Sequence, residues 1–224
     1  MDRKKFLKRS SFGIGSIIAI PSLISSCSDD DNFDPNACEL SAEATAGPFP
    51  IKSPADWVRE NIIGNRVGIP MMITLTIENT NEDCQPLDGA IVDVWHCDAQ
   101  GNYSQYDGQL DGDFTGENFL RGRQTSDANG RADFMSIYPG WYPGRTPHIH
   151  AEVKSSEGVS LLITQISFPE NISNAVYDTS AYNDYDNADT NNENDGIVGP
   201  ENLAQVTGNT TDGYVLSKTL KVSA

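Results

Sequence analysis

Basic residues are scarce in this 224-residue chain: 15 lysines and arginines stand against 32 aspartates and glutamates. Nucleic acid is therefore not an expected partner, because phosphate backbones are bound by basic faces. Comfortable membrane spans are lacking too. The mostly apolar stretch at residues 12–24 is short and is interrupted by Pro21. No long amphipathic helical pattern stands out, and no internal repeat is evident. Histidine is rare, with three in the whole chain, and cysteine occurs only four times.

What the chain does contain begins with a basic segment, Arg3, Lys4, Lys5, Lys8 and Arg9, ahead of the apolar stretch. Residues 1–26 thus read as an export signal. Ile24-Ser-Ser-Cys27 resembles the lipobox of bacterial lipoproteins, which implies a lipid on Cys27, a membrane anchor and a cell-envelope location. The alternative is an ordinary cleaved signal. The first eight residues also resemble a twin-arginine signal with lysine in place of the second arginine, so the export route stays open. Without residues 1–26 the acids number 31 and the bases 10, a net charge of about −21, which fits a well-solvated exported protein. Residues 27–37 read as a polar tether, and residues 38–224 are long enough for one domain with a real core.

Short β-type segments separated by turn residues dominate that domain. Strands are expected at 71–78, 90–95, 132–137, 160–168 and 213–222, and around residues 149–153, where Ile149, Ala151 and Val153 alternate. The fold class is therefore all-β: a sandwich of mostly antiparallel strands, with long loops carrying any metal site. Residues 169–201 form a long Asn/Asp-rich stretch containing Tyr177, Tyr182 and Tyr185; it reads as a surface loop or lid with at most a helical turn. Cys38 opens the domain and Cys84 lies in a turn-rich segment, so these two are the expected disulfide, with Cys97 a buried free thiol. The alternative keeps all three reduced.

The densest chemistry lies in Tyr138-Pro-Gly-Trp-Tyr-Pro-Gly-Arg-Thr-Pro-His-Ile-His150. In a strand, His148 and His150 project to the side opposite Ile149. Two imidazoles on one face make a metal clamp, and the alternative is a pair of polar surface residues. Tyr142 and Arg145 precede them on a Pro/Gly-rich turn able to fix a phenol and a guanidinium nearby. His96, which follows Trp95, reads as a hydrogen-bonded core residue, and Tyr103 alone would read as packing.

Taken together, a longer set of segments becomes specific: Thr45-Ala-Gly-Pro-Phe49, Asp88 to Ser104 around Trp95, Phe119 to Gly130, Phe134, and the Tyr138–His150 stretch. In this order they resemble the intradiol ring-cleavage dioxygenases, most of all the small secreted branch of catechol or protocatechuate 3,4-dioxygenase-like proteins. The resemblance implies non-haem Fe(III) held by Tyr103, Tyr142, His148 and His150. It implies catalytic roles for Tyr142, Arg145 and Gln165. An aromatic diol and O2 would be the partners, and a cis,cis-muconate-type compound the product. Phenolates are hard donors that favour the ferric state, in keeping with that set. The competing reading is a non-catalytic β-sandwich binding module on a cell-envelope lipoprotein. No particular diol and no oligomeric state follow from the sequence.

Overall fold

The computed structural model describes residues 38–182 and 187–224. The expected signal at 1–26, the lipid site Cys27, the tether to residue 37 and Tyr185 lie outside the described residues.

Two sheets face each other across one apolar core. The first contains β1 (Pro70–Asn79), β2 (Gln85–Pro86), β5 (Arg131–Ile137), β8 (Gln205–Asn209) and β9 (Gly213–Val222). β1 is its centre: β2 and β5 pair with it antiparallel and β9 pairs with it parallel, while β8 closes the far edge against β9. The second runs β4 (Arg121–Thr125), β3 (Ile91–Trp95), β6 (His148–Lys154), β7 (Ser160–Ser167), antiparallel throughout. This is the expected all-β sandwich, with one parallel pairing.

Alternation explains each face. β1 sends Met71, Ile73, Leu75 and Ile77 inward, all essentially inaccessible. Each such side chain contributes roughly 1.5–3 kcal/mol by leaving water. β3, β6 and β7 answer with Val92, Val94, Ile149, Ala151, Val153, Leu162 and Ile166. Because strand side chains alternate, Trp95, His148, His150, Gln165 and Ser167 must point to the opposite, outer face of the second sheet. Register then aligns them: Trp95 stands opposite His150, His150 opposite Gln165, and Trp95 opposite Arg121 on its other side.

That outer face is not left to solvent, because an N-terminal arm crosses it. The Ala44 N–H donates to Ile163 O at 2.8 Å, and Gln165 Nε2 and Arg121 Nη1 donate to the carbonyls of Thr45 (2.8 Å) and Phe49 (2.9 Å). The arm is tethered at its start, where Cys38 and Cys84 form a disulfide with Cα atoms 5.7 Å apart and Cys97 is left as a buried free thiol.

Two strands and one helix escape the alternation pattern. β4 is polar because its inward positions are Gly122, where a Cβ would lie 2.4 Å from Ile62 Cγ2, and the half-buried Gln124. β8 is a mostly exposed edge strand recognisable only by its pairing with β9. In the Asn/Asp-rich stretch, α1 (Glu170–Tyr177) is a helix of eight residues, longer than the single turn expected. It forms because Ser173, Val176 and Tyr177 fall on one face and bury against the core, with Tyr138 Oη 2.8 Å from Ser173 Oγ.

Candidate metal centre

Two loops bring phenols to the sheet bearing the histidines. The turn at residues 98–103 is built on buried Asp98, whose Oδ1 accepts the N–H groups of Gln100 (3.0 Å) and Asn102 (2.9 Å). The Asp98 carbonyl accepts the Gly140 N–H at 2.9 Å, tying this turn to the one that carries Tyr142. Glycine is required on both sides of that junction. A Cβ on Gly101 would sit 2.3 Å from the Trp141 carbonyl oxygen, and one on Gly140 would sit 2.6 Å from those of Asp98 and Ala99. Each glycine precedes its tyrosine by two residues, so backbone contact between the turns places Tyr103 and Tyr142 side by side.

Four rings converge as a result. Centroids are 4.9 Å apart for His148–His150, 5.5 Å for Tyr142–His148, 5.9 Å for Tyr103–Tyr142 and 6.1 Å for Tyr103–His150. Trp95 stacks on His150 at 5.0 Å with 3° between the planes, which locks the ring's tilt. Gly47 of the arm lies against the other ring atoms: a Cβ there would stand 2.9 Å from His150 Cε1. His148 Nδ1 donates to the Thr146 carbonyl at 2.6 Å, so the free lone pair is on Nε2, 3.2 Å from the Tyr142 hydroxyl. Arg145 completes the group. Its Nη1 lies 3.3 Å from the Tyr142 oxygen, Nη2 donates to Gln165 Oε1, and Nε meets Asp195 Oδ2 at 2.8 Å.

Electrostatics make these donors neutral. Burial, with help from Arg145, brings the His148 imidazole down to about 4. Burial, then His148 and Arg145, holds His150 well below its ordinary range. The phenols move the opposite way: burial lifts Tyr103 far above its usual value, with Cys97 and Tyr142 adding to the shift. Burial also raises Tyr142, against the opposing pull of Arg145.

The buried side-chain polar atoms without a well-formed partner, among the described residues, are Trp95 Nε1, Tyr103 Oη, His150 Nδ1 and Ser167 Oγ. All four belong to this face, and Ser167 is the cross-strand neighbour of His148. Orphaned buried polar atoms ask for an explanation, and a role as metal donor supplies one for the Tyr103 oxygen. A hard trivalent cation fits the set, because two neutral imidazoles offer lone pairs and two phenols become strong anionic donors once deprotonated.

The structure thus brings Tyr103, Tyr142, His148, His150, Arg145 and Gln165 into one cluster. His96 stands outside it, buried, donating from Nδ1 to Cys97 O at 2.8 Å and accepting at Nε2 from Ser136 Oγ at 2.7 Å. Gln165 is held at both ends of its amide: Oε1 accepts from Arg145 and Nε2 donates to Thr45 O. The sequence reading missed Asp195, which sits in the polar stretch with no motif to mark it, and the role of Gly47, whose segment was noticed only as a resemblance.

A β-sandwich that gathers two phenols and two neutral imidazoles beside one sheet face offers a donor set suited to a hard metal ion. A family model described as Dioxygenase matches residues 50–184, which include all four rings. The chain is 34% identical over 121 residues to the protocatechuate 3,4-dioxygenase beta chain of Burkholderia cepacia, covering 49% of this chain and 50% of that one. It is 30% identical over 149 residues to hydroxyquinol 1,2-dioxygenase of Rhizobium sp. (strain MTP-10005), covering 58% and 48%. It therefore spans about half the length of these curated relatives. A solved intradiol ring-cleavage dioxygenase from Tetranychus urticae superposes with a TM-score of 0.74 at 32% identity, over 83% of this chain and 95% of that one. The chain belongs to the intradiol ring-cleavage dioxygenase family.

Proposed function

We propose that the protein cleaves a catechol-type diol with O2 between its two hydroxylated carbons, giving a cis,cis-muconate-type product. The observation that carries this reading is the convergence of Tyr103, Tyr142, His148 and His150 within 4.9–6.1 Å, ring to ring. These four would hold a non-haem Fe(III). When bound, that ion supplies Lewis-acid chelation of the diol and redox access to O2.

The chain's own groups supply the rest. Tyr142 is only half-buried and its oxygen touches both His148 Nε2 and Arg145 Nη1, so it is the candidate to accept a proton from the incoming diol. Arg145 favours the ionised phenolate and stabilises negative charge that develops on the substrate. Gln165 holds the guanidinium in place through Oε1. Burial of Tyr103, His148 and His150 keeps bulk water from these groups.

The test is to load the protein with Fe(III), record its visible spectrum, and follow O2 uptake and product spectra across a panel of diols. A tyrosinate–iron band with muconate-type products is expected. A colourless protein without O2 uptake would sink the reading. Export and a lipid anchor at Cys27 belong to the same proposal, and the Cys38–Cys84 disulfide supports an oxidising compartment. Cys27→Ala is expected to move the protein from the membrane to the soluble fraction; unchanged fractionation would count against the anchor.

A further inference from the structure

We infer that Asp195 is a positioning residue: it fixes the Arg145 guanidinium so that its two outer nitrogens face Tyr142 and Gln165. The inference rests on the role proposed above for Arg145.

The polar stretch after α1 grips the turn ahead of the histidines at three points. Asp189 Oδ1 accepts the Gly144 N–H at 3.0 Å, Asn192 Oδ1 accepts from Thr146 Oγ1 at 2.8 Å, and Asp195 Oδ2 accepts the Thr146 N–H at 2.9 Å. A free lid would not be so tied. Only Asp195 also reaches a side chain of the site, taking Arg145 Nε at 2.8 Å.

Its carboxylate is held from behind as well. Oδ1 accepts the N–H groups of Ile197 (2.9 Å) and Val198 (3.2 Å), and the side chain is 0% exposed. Four donors thus converge on two oxygens, one of them the guanidinium. Burial alone would raise this carboxyl, yet the bonds from Arg145, Thr146, Ile197 and Val198 hold it below its ordinary value.

An arginine side chain has many rotatable bonds, but its fork is planar. Pinning Nε therefore sets the plane and aims the remaining N–H groups. Asp195 takes the one nitrogen that points away from the site. Tyr142 and Gln165 meet the two that point into it. A bond serving only to fasten the loop would not need to engage Nε, since Thr146 N–H already fastens it.

The experiment has two arms. First, the Arg145 Nε–H resonance of the metal-free protein is assigned by its loss in Arg145→Gln, and its solvent exchange is measured. Slow exchange is expected in the wild type and in Asn192→Ala, which loosens the same loop without touching the guanidinium. Fast exchange is expected in Asp195→Asn. Fast exchange in the wild type, or equal loss in Asn192→Ala, overturns the inference. Second, on the Fe(III)-loaded full chain, Asp195→Asn is expected to lower kcat about tenfold or more while KM changes less than about threefold. In an Arg145→Gln background the same substitution is expected to lower kcat by less than about twofold, since one residue acts through the other. Additive losses would show a purely structural role and overturn the inference. The exchange arm needs no turnover, so a protein that cleaves no diol yet protects the Arg145 Nε–H refutes the proposed function and leaves the role of Asp195 intact.

Discussion

Two neighbouring rows on the outer face of the second sheet handle buried polarity in opposite ways. In the row through Asp93, Arg123 makes a two-pronged ion pair at 2.6 Å, and Lys154 bridges Asp93 at 2.7 Å and Glu152 at 2.8 Å. Every charge there has an opposite partner. Two residues along β3 and β6, the row through Trp95 and His150 leaves buried atoms without well-formed bonds and keeps its imidazole neutral. The first row is finished by folding. The second lies beside the four converging rings, and its atoms without well-formed bonds mark the part of the sheet where folding alone leaves polarity unpaired.

The sharpest way to break this comparison is to remove donors from the ring cluster beside the second row. His148→Ala and Tyr142→Phe are each expected to abolish most retention of Fe(III) and its visible band, with turnover falling on the order of 10²-fold or more. Stability of the metal-free protein should fall by no more than about 1 kcal/mol in Tyr142→Phe, because the half-buried hydroxyl gives up only its long bonds to His148 Nε2 (3.2 Å) and Arg145 Nη1 (3.3 Å). Metal analysis and chemical denaturation read both. Normal iron content in either variant would remove that side chain from the donor set.

The paired row predicts the converse. Asp93→Asn takes the carboxylate from Arg123 and leaves Lys154 with Glu152 alone; the two cations are 15% and 14% exposed, so the loss is expected at or below the low end for a broken buried pair, about 2–3 kcal/mol. Iron affinity should stay within about twofold, since Asp93 bonds to Arg123 and Lys154 and to none of the four rings, and groups without shared partners couple weakly. A variant that keeps its denaturation midpoint but loses iron would reverse the roles assigned to the two rows.

Acid sharpens the contrast further. His148 is held at about 4 by burial and Arg145, and His96 at about 4 mainly by burial, against 6.5 for a free ring. Both folded values lie below the unfolded one. Protons therefore bind the unfolded chain preferentially between about 6.5 and 4, and stability falls as pH drops through that window. The slope is up to about 1.4 kcal/mol per pH unit for each ring. Urea midpoints of the metal-free protein at pH 7, 6 and 5 measure it, and a flat profile would contradict neutral buried rings.

Much of this was legible in the sequence, for identifiable reasons. β1, β3, β5, β6, β7 and β9 show their apolar alternation or runs because one face of each packs into the core. The paired histidines could be put on one face because a strand has a period of two. The tyrosines were legible only through motif order, since periodicity says nothing about which loops will meet; backbone contact at Gly101 and Gly140 decides that. β4 was hidden because its inward positions are a glycine and a glutamine. Asp195 was hidden because its effect depends on a contact across 50 residues of chain, inside a segment whose composition promises only a loop.

Gly47 offers the smallest and most selective perturbation, because it lies directly against His150 of the second row. Its φ is +70°, and a new Cβ would meet His150 Cε1 at 2.9 Å. Gly47→Ala therefore combines left-handed backbone strain, about 1 kcal/mol, with pressure on a ring that cannot tilt freely because Trp95 is stacked on it. If the arm yields, stability drops slightly and His150 keeps its place. If the ring yields, the metal-free protein is little affected but Fe(III) binds more weakly, by roughly tenfold for a displaced donor. The stack at 5.0 Å backs the ring with a large buried indole, whereas the arm is secured near this point by a few hydrogen bonds. The arm should therefore yield first. A measured loss of about 1 kcal/mol with iron affinity nearly unchanged is the expected result, and a selective fall in iron affinity would show that the arm, rather than Trp95, sets the position of His150.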